Sequence, residues 1–464
     1  MSESTPSASR RARRGGRSAR APQHLLKDRD AYIDYLSEFI AEAPSSYHAA
    51  AALQKALEAA DFSAHDETEA WQAVIDGSRG FVRRDGALIA WRVGKKVSAD
   101  SPVRVLGCHT DSPGFTVKPR PDFTAHGWSQ VGVEVYGGPL LNSWLDRDLE
   151  LAGRIVTRDG TERLVRTGAV ARIPQLAIHL DREANSGLTL DRQRHTQPVI
   201  GLVPAAGSGA GSDPDSEAGA PSALALLADA AGVAADEIAG TDVRLHDTQP
   251  PARIGVHGEL YASPRLDNLS STVAGLVALL ASEPAPGTIS VLAAFDHEEL
   301  GSETRSGASG PFLEEVLARI RAGLEATVED SARAFARSWC LSADAGHSVH
   351  PNYPEKHDPR VQPLAGQGPM LKVNANQRYA SDAHGAALWL RVCEAAGVQT
   401  QEFVSNNTSP CGSTIGPLTA TRLGIRTADV GVPLLSMHSV RELAHVDDLH
   451  GLARATGAFF TTLS

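Results

Sequence analysis

Cysteine is scarce in this 464-residue chain, and its spacing excludes two kinds of stabilising site. The four cysteines are scattered along the chain and include no Cys-x-x-Cys pair. Neither a disulfide framework nor a thiolate zinc knuckle is therefore indicated. We expect a protein of the reducing cytoplasm. The cysteines are Cys108, Cys340, Cys393 and Cys411.

Long apolar runs and excess positive charge are also missing. No run of about 18 apolar residues is present, which argues against a membrane-spanning helix. The chain has 44 Lys and Arg against 55 Asp and Glu, a formal net charge of −11, which argues against a nucleic-acid-binding surface on the folded body. Its length suggests about two domains.

Three common catalytic signatures are absent from the chain. There is no Gly-x-Ser-x-Gly nucleophile elbow, so serine-hydrolase chemistry is unsupported. His297 precedes Glu298, but no second histidine follows four residues later, so this is not the helical His-Glu-x-x-His zinc site. The glycine-rich run at 207–211 lacks the Lys-Ser/Thr ending of a phosphate loop, and we expect a flexible loop there.

Positive charge is concentrated in the N-terminal segment 1–25, which contains six arginines among Ser, Gly and Ala. No apolar stretch follows these charges, so the segment does not have the pattern of a secretory signal. Low hydrophobicity and charge of one sign predict a disordered tail. The arginines are Arg10, Arg11, Arg13, Arg14, Arg17 and Arg20.

Two adjacent carboxylates, Glu298 and Glu299, follow an apolar run at 289–294 that predicts a buried strand. Neighbouring side chains at an extended strand end point to opposite sides. The two carboxylates would therefore have different roles. One would bind a metal ion, and the other would accept and donate protons.

Four further segments place metal-ligating side chains at the ends of probable strands, and they contain His109, Asp267, Asp344 and His438. With one glutamate of the pair, they supply two imidazoles and three carboxylates. This set suits zinc, manganese or cobalt, and an aspartate can bridge the ions of a two-metal site. Asp111, two residues after His109, is placed to orient that imidazole.

Strand and helix patterns alternate over much of the chain. This alternation predicts an α/β fold in which helices sandwich a mostly parallel or mixed sheet. The ligand segments follow strands, and the crevice beyond the carboxyl ends of such strands is the natural site of an open α/β sheet. The strand patterns include 103–108 and 289–294, and the helical patterns include 269–282, 312–326, 382–396 and a closing helix from 446.

Five motifs stand out along the chain: Gly-Cys-His-Thr-Asp-Ser-Pro at 107–113, Arg-Leu-Asp-Asn at 265–268, Asp-His-Glu-Glu-Leu-Gly-Ser at 296–302, His-Ser-Val-His-Pro-Asn-Tyr at 347–353 and Asn-Gln-Arg-Tyr-Ala at 376–380. Together they resemble those of the aspartyl aminopeptidases, the M18 family of zinc exopeptidases. The resemblance runs from about residue 30 to the C-terminus. One departure is Ala345-Gly346, where the family usually has Met-Ala.

The resemblance implies a peptidase-like catalytic domain interrupted by an inserted, β-rich dimerisation domain. We expect catalytic segments at 26–118 and 255–464, with the insertion at 119–254. It also implies that such dimers build a tetrahedral dodecamer. The expected activity is removal of N-terminal Asp or Glu from peptides.

The resemblance also implies a role for each ligand. His109 and Asp344 would hold one zinc ion, Glu299 and His438 would hold the other, and Asp267 would bridge the two. Glu298 would act as the general base and acid. Mn²⁺ or Co²⁺ in place of Zn²⁺ remains open.

Four further residues receive roles by the resemblance. Lys372 would lie near the acidic side chain of the substrate, and His347 and His350 would contact substrate or ligands. His179 would reach from the inserted domain into a neighbouring subunit's site and stabilise the oxyanion.

Two alternatives stay open at this point. One is a dizinc aminopeptidase that prefers neutral N-terminal residues. The other is a non-enzymatic assembly or nucleic-acid-binding protein that acts through its arginine-rich tail.

Overall fold

The computed structural model describes residues 22–204 and 219–462. Nearly all of the arginine-rich tail lies outside these ranges, as does the glycine-rich run at 207–211, so both predictions stay predictions. Residues Pro22–Leu25 form a short helix, and Leu25 is buried against the core. The tail boundary at residue 25 stays a prediction.

Several helices begin at residues that cap them. The side chains of Asp28, Ser45 and Asp382 each accept a backbone N–H from the first helical turn. The described helices are α1 (Pro22–Leu25), α2 (Arg29–Glu42), α3 (Ser46–Glu58), α4 (Ala223–Ala231), α5 (Leu266–Ala281), α6 (Phe312–Gly323), α7 (Val328–Ala336), α8 (Ala383–Ala396), α9 (Ile415–Leu423) and α10 (Val446–Thr461).

The strands fall into two large sheets and two small ones. They are β1 (Ser63–Ala64), β2 (Arg79–Arg84), β3 (Ala87–Val93), β4 (Val103–His109), β5 (Gly114–Ala125), β6 (Trp128–Tyr136), β7 (Leu149–Thr157), β8 (Glu162–Ala171), β9 (Val199–Leu202), β10 (Ile238–Asp247), β11 (Ala252–Ile254), β12 (Leu260–Ser263), β13 (Ile289–Phe295), β14 (Trp339–Ala343), β15 (Gly346–His347), β16 (Met370–Val373), β17 (Gln401–Val404), β18 (Arg426–Gly431), β19 (Pro433–Leu434) and β20 (Glu442–His445).

The larger sheet has nine strands in the order β1-β2-β3-β13-β4-β14-β18-β16-β17. Its centre, from β13 through β4 and β14 to β18, is parallel, whereas β2, β3 and β16 pair antiparallel with neighbours. Every residue of β3, β4, β13 and β14 is buried. Such continuous burial is expected of strands covered on both faces.

Helices cover both faces of this nine-stranded sheet. One apolar cluster packs α2, α5, α8 and α10 against it, and a second packs α6 and α9 against the other face. The predicted sandwich of helices around a mixed sheet is therefore confirmed.

The second large sheet is antiparallel and has six strands in the order β8-β7-β10-β5-β6-β9. Its core is a separate apolar cluster, to which α4 contributes Ala223 and Leu227. The strands run from Gly114 to Asp247, inside the interval between β4 and α5. The expected β-rich insertion is thus present, and the boundaries at 119 and 254 stay predictions.

No helix of the described ranges is both long enough and apolar enough to span a membrane.

Candidate metal centre

The predicted ligands lie at the carboxyl-terminal edge of the nine-stranded sheet and on the segments beside it. His109 is the last residue of β4, and Asp344 directly follows β14. Asp267 lies in the first turn of α5, which comes after β12, and His438 lies between β19 and β20. Parallel strands that end together explain how residues so far apart in the sequence meet.

The acidic pair does not have the extended backbone that the sequence predicts. Residues Glu298–Leu300 form one turn of 3₁₀ helix, flanked by His297 and Gly301 with φ of +64° and +95°. The two carboxylates nevertheless have different neighbours. An Oε2 atom of Glu298 lies 4.0 Å from Nε2 of His109, and Oε2 of Glu299 lies 3.4 Å from Nε2 of His438.

Asp267 stands between the two imidazoles. Its Oδ1 lies 3.2 Å from Nε2 of His109, and its Oδ2 lies 3.4 Å from Nε2 of His438. Oδ1 of Asp344 completes the first group, 3.4 Å from Nε2 of His109. Glu299 completes the second group, so two clusters of nitrogen and oxygen atoms share one carboxylate.

The spacing of these atoms fits zinc. A tetrahedral Zn²⁺ with bonds of about 2.0–2.2 Å separates its ligand atoms by roughly 3.3–3.6 Å. The four nitrogen–oxygen distances of the two clusters are 3.2, 3.4, 3.4 and 3.4 Å. Candidate ligand atoms of His109, Asp267 and Glu299 also lie within 4.8 Å of one another.

Buried ligand atoms without a hydrogen-bond partner point to the same conclusion. Nε2 of His109, Oδ1 of Asp267 and Oε1 of Glu299 are buried, and none has a partner in the described structure. Burying such groups unpaired is costly. A bound cation would satisfy all three, so the residues present fit a metal site.

The other nitrogen of each imidazole is already engaged. Nδ1 of His438 lies 3.0 Å from the carbonyl oxygen of Gly138, which can only accept a hydrogen bond. Nδ1 of His109 lies 3.2 Å from the carbonyl oxygen of Asp111 and 3.3 Å from its carboxylate. These contacts place the proton on Nδ1 and leave the Nε2 lone pair for a metal ion.

The crowded charges perturb the pKa values of both glutamates. Burial raises the pKa of Glu298 to about 8, and the charges of Asp344 and Asp267 act in the same direction. Burial and Asp267 also raise the pKa of Glu299 well above its usual value. Excess negative charge in a buried cleft favours a cation.

The pKa values of the two histidines are also raised, whereas the pKa of Asp267 is lowered. Burial acts to lower the pKa of His109, but the carboxylates of Asp111, Asp267 and Asp344 hold it well above its usual value. Burial likewise opposes the shift of His438, whose pKa Asp267 and Glu299 raise to about 10. Both histidines hold the pKa of Asp267 well below its usual value despite burial. Protons and metal ions would compete for these groups.

Two carboxylates fix the backbone of the ligand segments. Asp111 accepts the backbone N–H groups of Glu298 and Glu299, at 3.0 and 3.2 Å. Glu442 accepts the backbone N–H groups of Asp267 and His438, at 3.0 and 2.9 Å. The sequence indicated the first of these residues, but no sequence signal distinguished Glu442 from an ordinary strand residue.

Sequence reasoning also missed contacts from the six-stranded sheet. The hydroxyl of Tyr136 donates to Oδ2 of Asp111 at 2.8 Å, and the carbonyl of Gly138 engages His438. The Tyr-Gly-Gly run after a strand pattern signals a turn in the sequence. Nothing in that signal indicates that the turn faces the ligands.

Lys372 lies beside the ligands, but its ammonium group is already paired. The side chain is buried, and Nζ donates to the carbonyl of Ala345 at 2.7 Å. Nζ also lies 3.4 Å from Oδ2 of Asp344. Lys372 therefore contacts Asp344, a predicted metal ligand, whether or not it also contacts substrate.

A cavity of about 320 Å³ opens next to the metal centre, and both His347 and His350 line it. These two residues do not share a helical face, because β15 ends at His347 and a loop follows. Met437, the neighbour of ligand His438, lines the same cavity. No Asp or Glu is among its lining residues in the described ranges, whereas Lys356 and His357 are.

His179 lies far from the ligands along the sequence, in an exposed segment between β8 and β9. It sits in a turn in which the N–H of Leu180 donates to the carbonyl of Ala177 at 2.8 Å. Within the described part of this one chain, His179 makes no hydrogen bond or ion pair with a predicted ligand. Leu176, Ile178 and Leu180 of the same segment are exposed.

Comparison with known proteins identifies the family. The family model described as "Aminopeptidase I zinc metalloprotease (M18)" matches residues 39–460. A protein of Streptomyces coelicolor named "Probable M18 family aminopeptidase 2" is 51% identical over 434 residues, which cover 92% of this chain and 97% of that protein.

Solved structures agree with this match. The structure described as the Ape4 and Nbr1 complex superposes with a TM-score of 0.88 and 35% identity, covering 94% of this chain and 86% of that one. The mApe1 dodecamer of S. cerevisiae gives 0.77 and 29%, covering 92% and 96%. The chain therefore belongs to the M18 family of zinc metalloproteases and is a metallo-aminopeptidase.

Proposed function

We propose that this enzyme is a dizinc aminopeptidase that removes N-terminal Asp or Glu from peptides. The observation that carries the proposal is the pair of ligand clusters that share Asp267. His109 and Asp344 would hold one ion, and Glu299 and His438 the other. Bound there, the ions would supply Lewis-acid polarisation of the peptide carbonyl and would lower the pKa of water.

Glu298 is the proposed general base. It is close to the predicted ligands, but its Oε2 lies 4.0 Å from Nε2 of His109, outside the 3.2–3.4 Å nitrogen–oxygen spacing of the two clusters. Its carboxylate is therefore available for protons. It would take a proton from the attacking water and deliver it to the amine of the departing peptide.

The preference for acidic residues rests on the charge of the cavity beside the metal centre. Its polar lining includes His347, His350, Lys356 and His357, and no carboxylate of the described chain lines it. A substrate carboxylate would meet the ammonium of Lys356 and imidazole N–H donors there, with no opposing carboxylate. Lys372 is the further cation that we assign to this recognition, acting beside Asp344.

We also propose that the active unit is an oligomer. The segment that carries His179 exposes Leu176, Ile178 and Leu180, which suits burial against another subunit. His179 would then stabilise the oxyanion in the neighbour's site. The comparison with the mApe1 dodecamer supports a dodecamer, and we propose that its building unit is a dimer.

The compartment follows from the thiols. All four cysteines are unpaired in the described structure. Free thiols in this number suit a reducing compartment. We propose the cytoplasm.

The proposed specificity is tested with a panel of dipeptides that differ only in the N-terminal residue. Wild-type enzyme should cleave Asp and Glu substrates at least tenfold better, by kcat/KM, than Leu and Ala substrates. Lys372→Met should reduce kcat/KM for the acidic substrates more than for the neutral ones, because a buried point cation is removed. The exposed Lys55 serves as the control through Lys55→Met.

Two outcomes would contradict this assignment. A wild-type enzyme that prefers neutral residues would establish the alternative dizinc aminopeptidase. An equal loss on all substrates in Lys372→Met would mean that Lys372 acts only through Asp344.

A further inference from the structure

The end of β6 brings the six-stranded sheet into direct contact with the metal centre. The hydroxyl of Tyr136 donates to Oδ2 of Asp111 at 2.8 Å, and the carbonyl of Gly138 lies 3.0 Å from Nδ1 of His438. Gly137, with φ of +66°, packs on Glu299, since a Cβ added there would lie 3.1 Å from Cβ of Glu299. One short segment of the inserted sheet thus touches both halves of the site.

Asp111 is the centre of these contacts. Its two carboxylate oxygens accept the backbone N–H groups of Glu298 and Glu299, and Nδ1 of His109 lies 3.3 Å away. Each of those donors belongs to the ligand segments themselves. The hydroxyl of Tyr136 is the donor that ties the same carboxylate to the inserted sheet.

The guanidinium of Arg244 lies over the ring of Tyr136. The guanidinium carbon lies 3.5 Å from the centroid of the Tyr136 ring. Arg244 comes from β10 and Tyr136 from β6, and both side chains are buried. The guanidinium also interacts electrostatically with the carboxylates of Asp111 and Asp296. Cation–π contacts of desolvated groups are strong enough to fix a ring orientation.

We propose that Tyr136 and Arg244 are positioning residues. They orient Asp111 and, through it, the turn that carries Glu298 and Glu299, so that packing of the inserted sheet sets the geometry of the metal centre. This inference rests on the proposed metal site. It does not depend on which peptides the enzyme cleaves.

The test is the substitution Tyr136→Phe, which removes one hydroxyl and keeps the ring. Partners that orient metal ligands typically contribute about 10–100-fold to metal affinity or activity. We therefore expect Tyr136→Phe to weaken zinc affinity, measured by chelator competition, by about 10–100-fold. kcat should fall over the same range, and KM should change less than twofold.

The matched control is Tyr47→Phe. Tyr47 is also buried, and its ring also faces an arginine, Arg154, at 4.3 Å. In the part of the chain that the structure describes, its hydroxyl has no hydrogen-bond partner. Tyr47→Phe should keep wild-type zinc affinity and kcat, whereas Tyr136→Phe should lose both over the stated range, and both metal-free variants should remain folded.

A second background tests whether Tyr136 acts through Asp111. In Asp111→Ala protein, the added Tyr136→Phe change should weaken zinc affinity no further, because the acceptor of the Tyr136 hydroxyl is absent. Losses that simply add would overturn the proposal. So would a Tyr136→Phe enzyme with wild-type zinc affinity and kcat.

Arg244 is tested by Arg244→Met, with Arg244→Lys as the variant that keeps the charge if the first does not fold. Combined with Tyr136→Phe, either change should give less than the sum of the separate losses in zinc affinity. Full additivity would remove Arg244 from the proposal. Because zinc affinity needs no substrate, these results stand even if the preference for acidic peptides fails.

Discussion

Each carboxylate oxygen of Asp267 faces a different imidazole, and this single residue connects the two ligand clusters. Its backbone N–H donates to Glu442, and its carbonyl accepts from the hydroxyl of Ser112 at 2.9 Å. The side chain is therefore held by its own backbone contacts. Such fixed ligands reduce the reorganisation that metal binding would otherwise require.

Glu298 provides the sharpest prediction at the scale of one residue. Glu298→Gln should retain both metal ions and the fold, because Glu298 lies outside the two ligand clusters. Its kcat should fall by a factor of ~10²–10⁴, which is the usual contribution of general acid–base catalysis. Metal analysis and steady-state kinetics on an Asp dipeptide measure the two effects.

The control for this variant is Glu303→Gln, which neutralises an exposed carboxylate five residues further on. It should have wild-type kcat. A Glu298→Gln enzyme that keeps its metal and hydrolyses at near-normal rate would show that another group moves the proton.

The proposed ligand residues stand out in the sequence because each belongs to a motif with chemically suited side chains. Asp111 stood out for the same reason, two residues from His109. Glu442 and Tyr136 did not, because an isolated glutamate in a strand or a tyrosine at a strand end is compatible with many roles. Their contacts arise only when β20 and β6 meet the ligand segments in three dimensions.

Helix α3 packs against β2 and β3 of the nine-stranded sheet and against β7 of the inserted sheet. His48 lies buried in its first turn. Burial lowers the pKa of His48 to about 4, and the charges of Arg166 and Arg265 act in the same direction. The folded protein therefore holds His48 neutral. An unfolded histidine titrates at about 6.5.

This difference predicts how stability depends on pH. The stability that neutral His48 contributes is fully present above pH 6.5 and is lost as the pH falls toward 4, because the unfolded chain then binds a proton that the folded state does not. His48→Gln should remove up to ~3 kcal/mol of this loss. Urea unfolding at a series of pH values measures it.

The control is His384→Gln, which changes an exposed histidine on α8. Its stability should follow the wild-type pH curve. Parallel curves for wild type and His48→Gln between pH 6.5 and 4 would mean that His48 becomes charged in the folded protein.

Strands and helices were predictable where their patterns are long. The strand predicted at 289–294 is β13, and the helix predicted at 382–396 is α8 with Asp382 as its cap. The turn at 298–300 was not predictable, because it requires positive φ at His297 as well as at Gly301. Histidine rarely adopts that conformation, so local sequence favoured an extended backbone.

For the whole molecule, only the family resemblance predicted an inserted β-rich domain between the two catalytic segments. His179 is exposed and distant in sequence from the predicted ligands. Its proposed role depends on how subunits pair.

Subunit mixing tests that assignment. His179→Ala and Glu298→Gln should each be inactive, since one lacks the donated histidine and the other the resident base. After exchange in an equimolar mixture, random pairing should restore up to roughly a quarter of the sites, because only one combination at a site is intact. Activity on an Asp dipeptide measures the recovery.

Exchange itself must be verified, for example by mass spectrometry of isotopically labelled subunits. The control mixture pairs His179→Ala with itself and should stay inactive. A mixture that stays inactive despite complete exchange, or a fully active monomer by light scattering, would rule out the shared site.

The proposed dizinc site is tested by measuring zinc content and activity on the same protein. Elemental analysis should find two zinc ions per chain. Hydrolysis of an Asp dipeptide should disappear when a chelator removes them and return when zinc is restored, whereas Asp267→Asn should lose affinity for both ions because it alters the bridging ligand. Hydrolysis that persists without metal, or full activity with Asp267→Asn, would rule out a catalytic site in which Asp267 bridges two zinc ions.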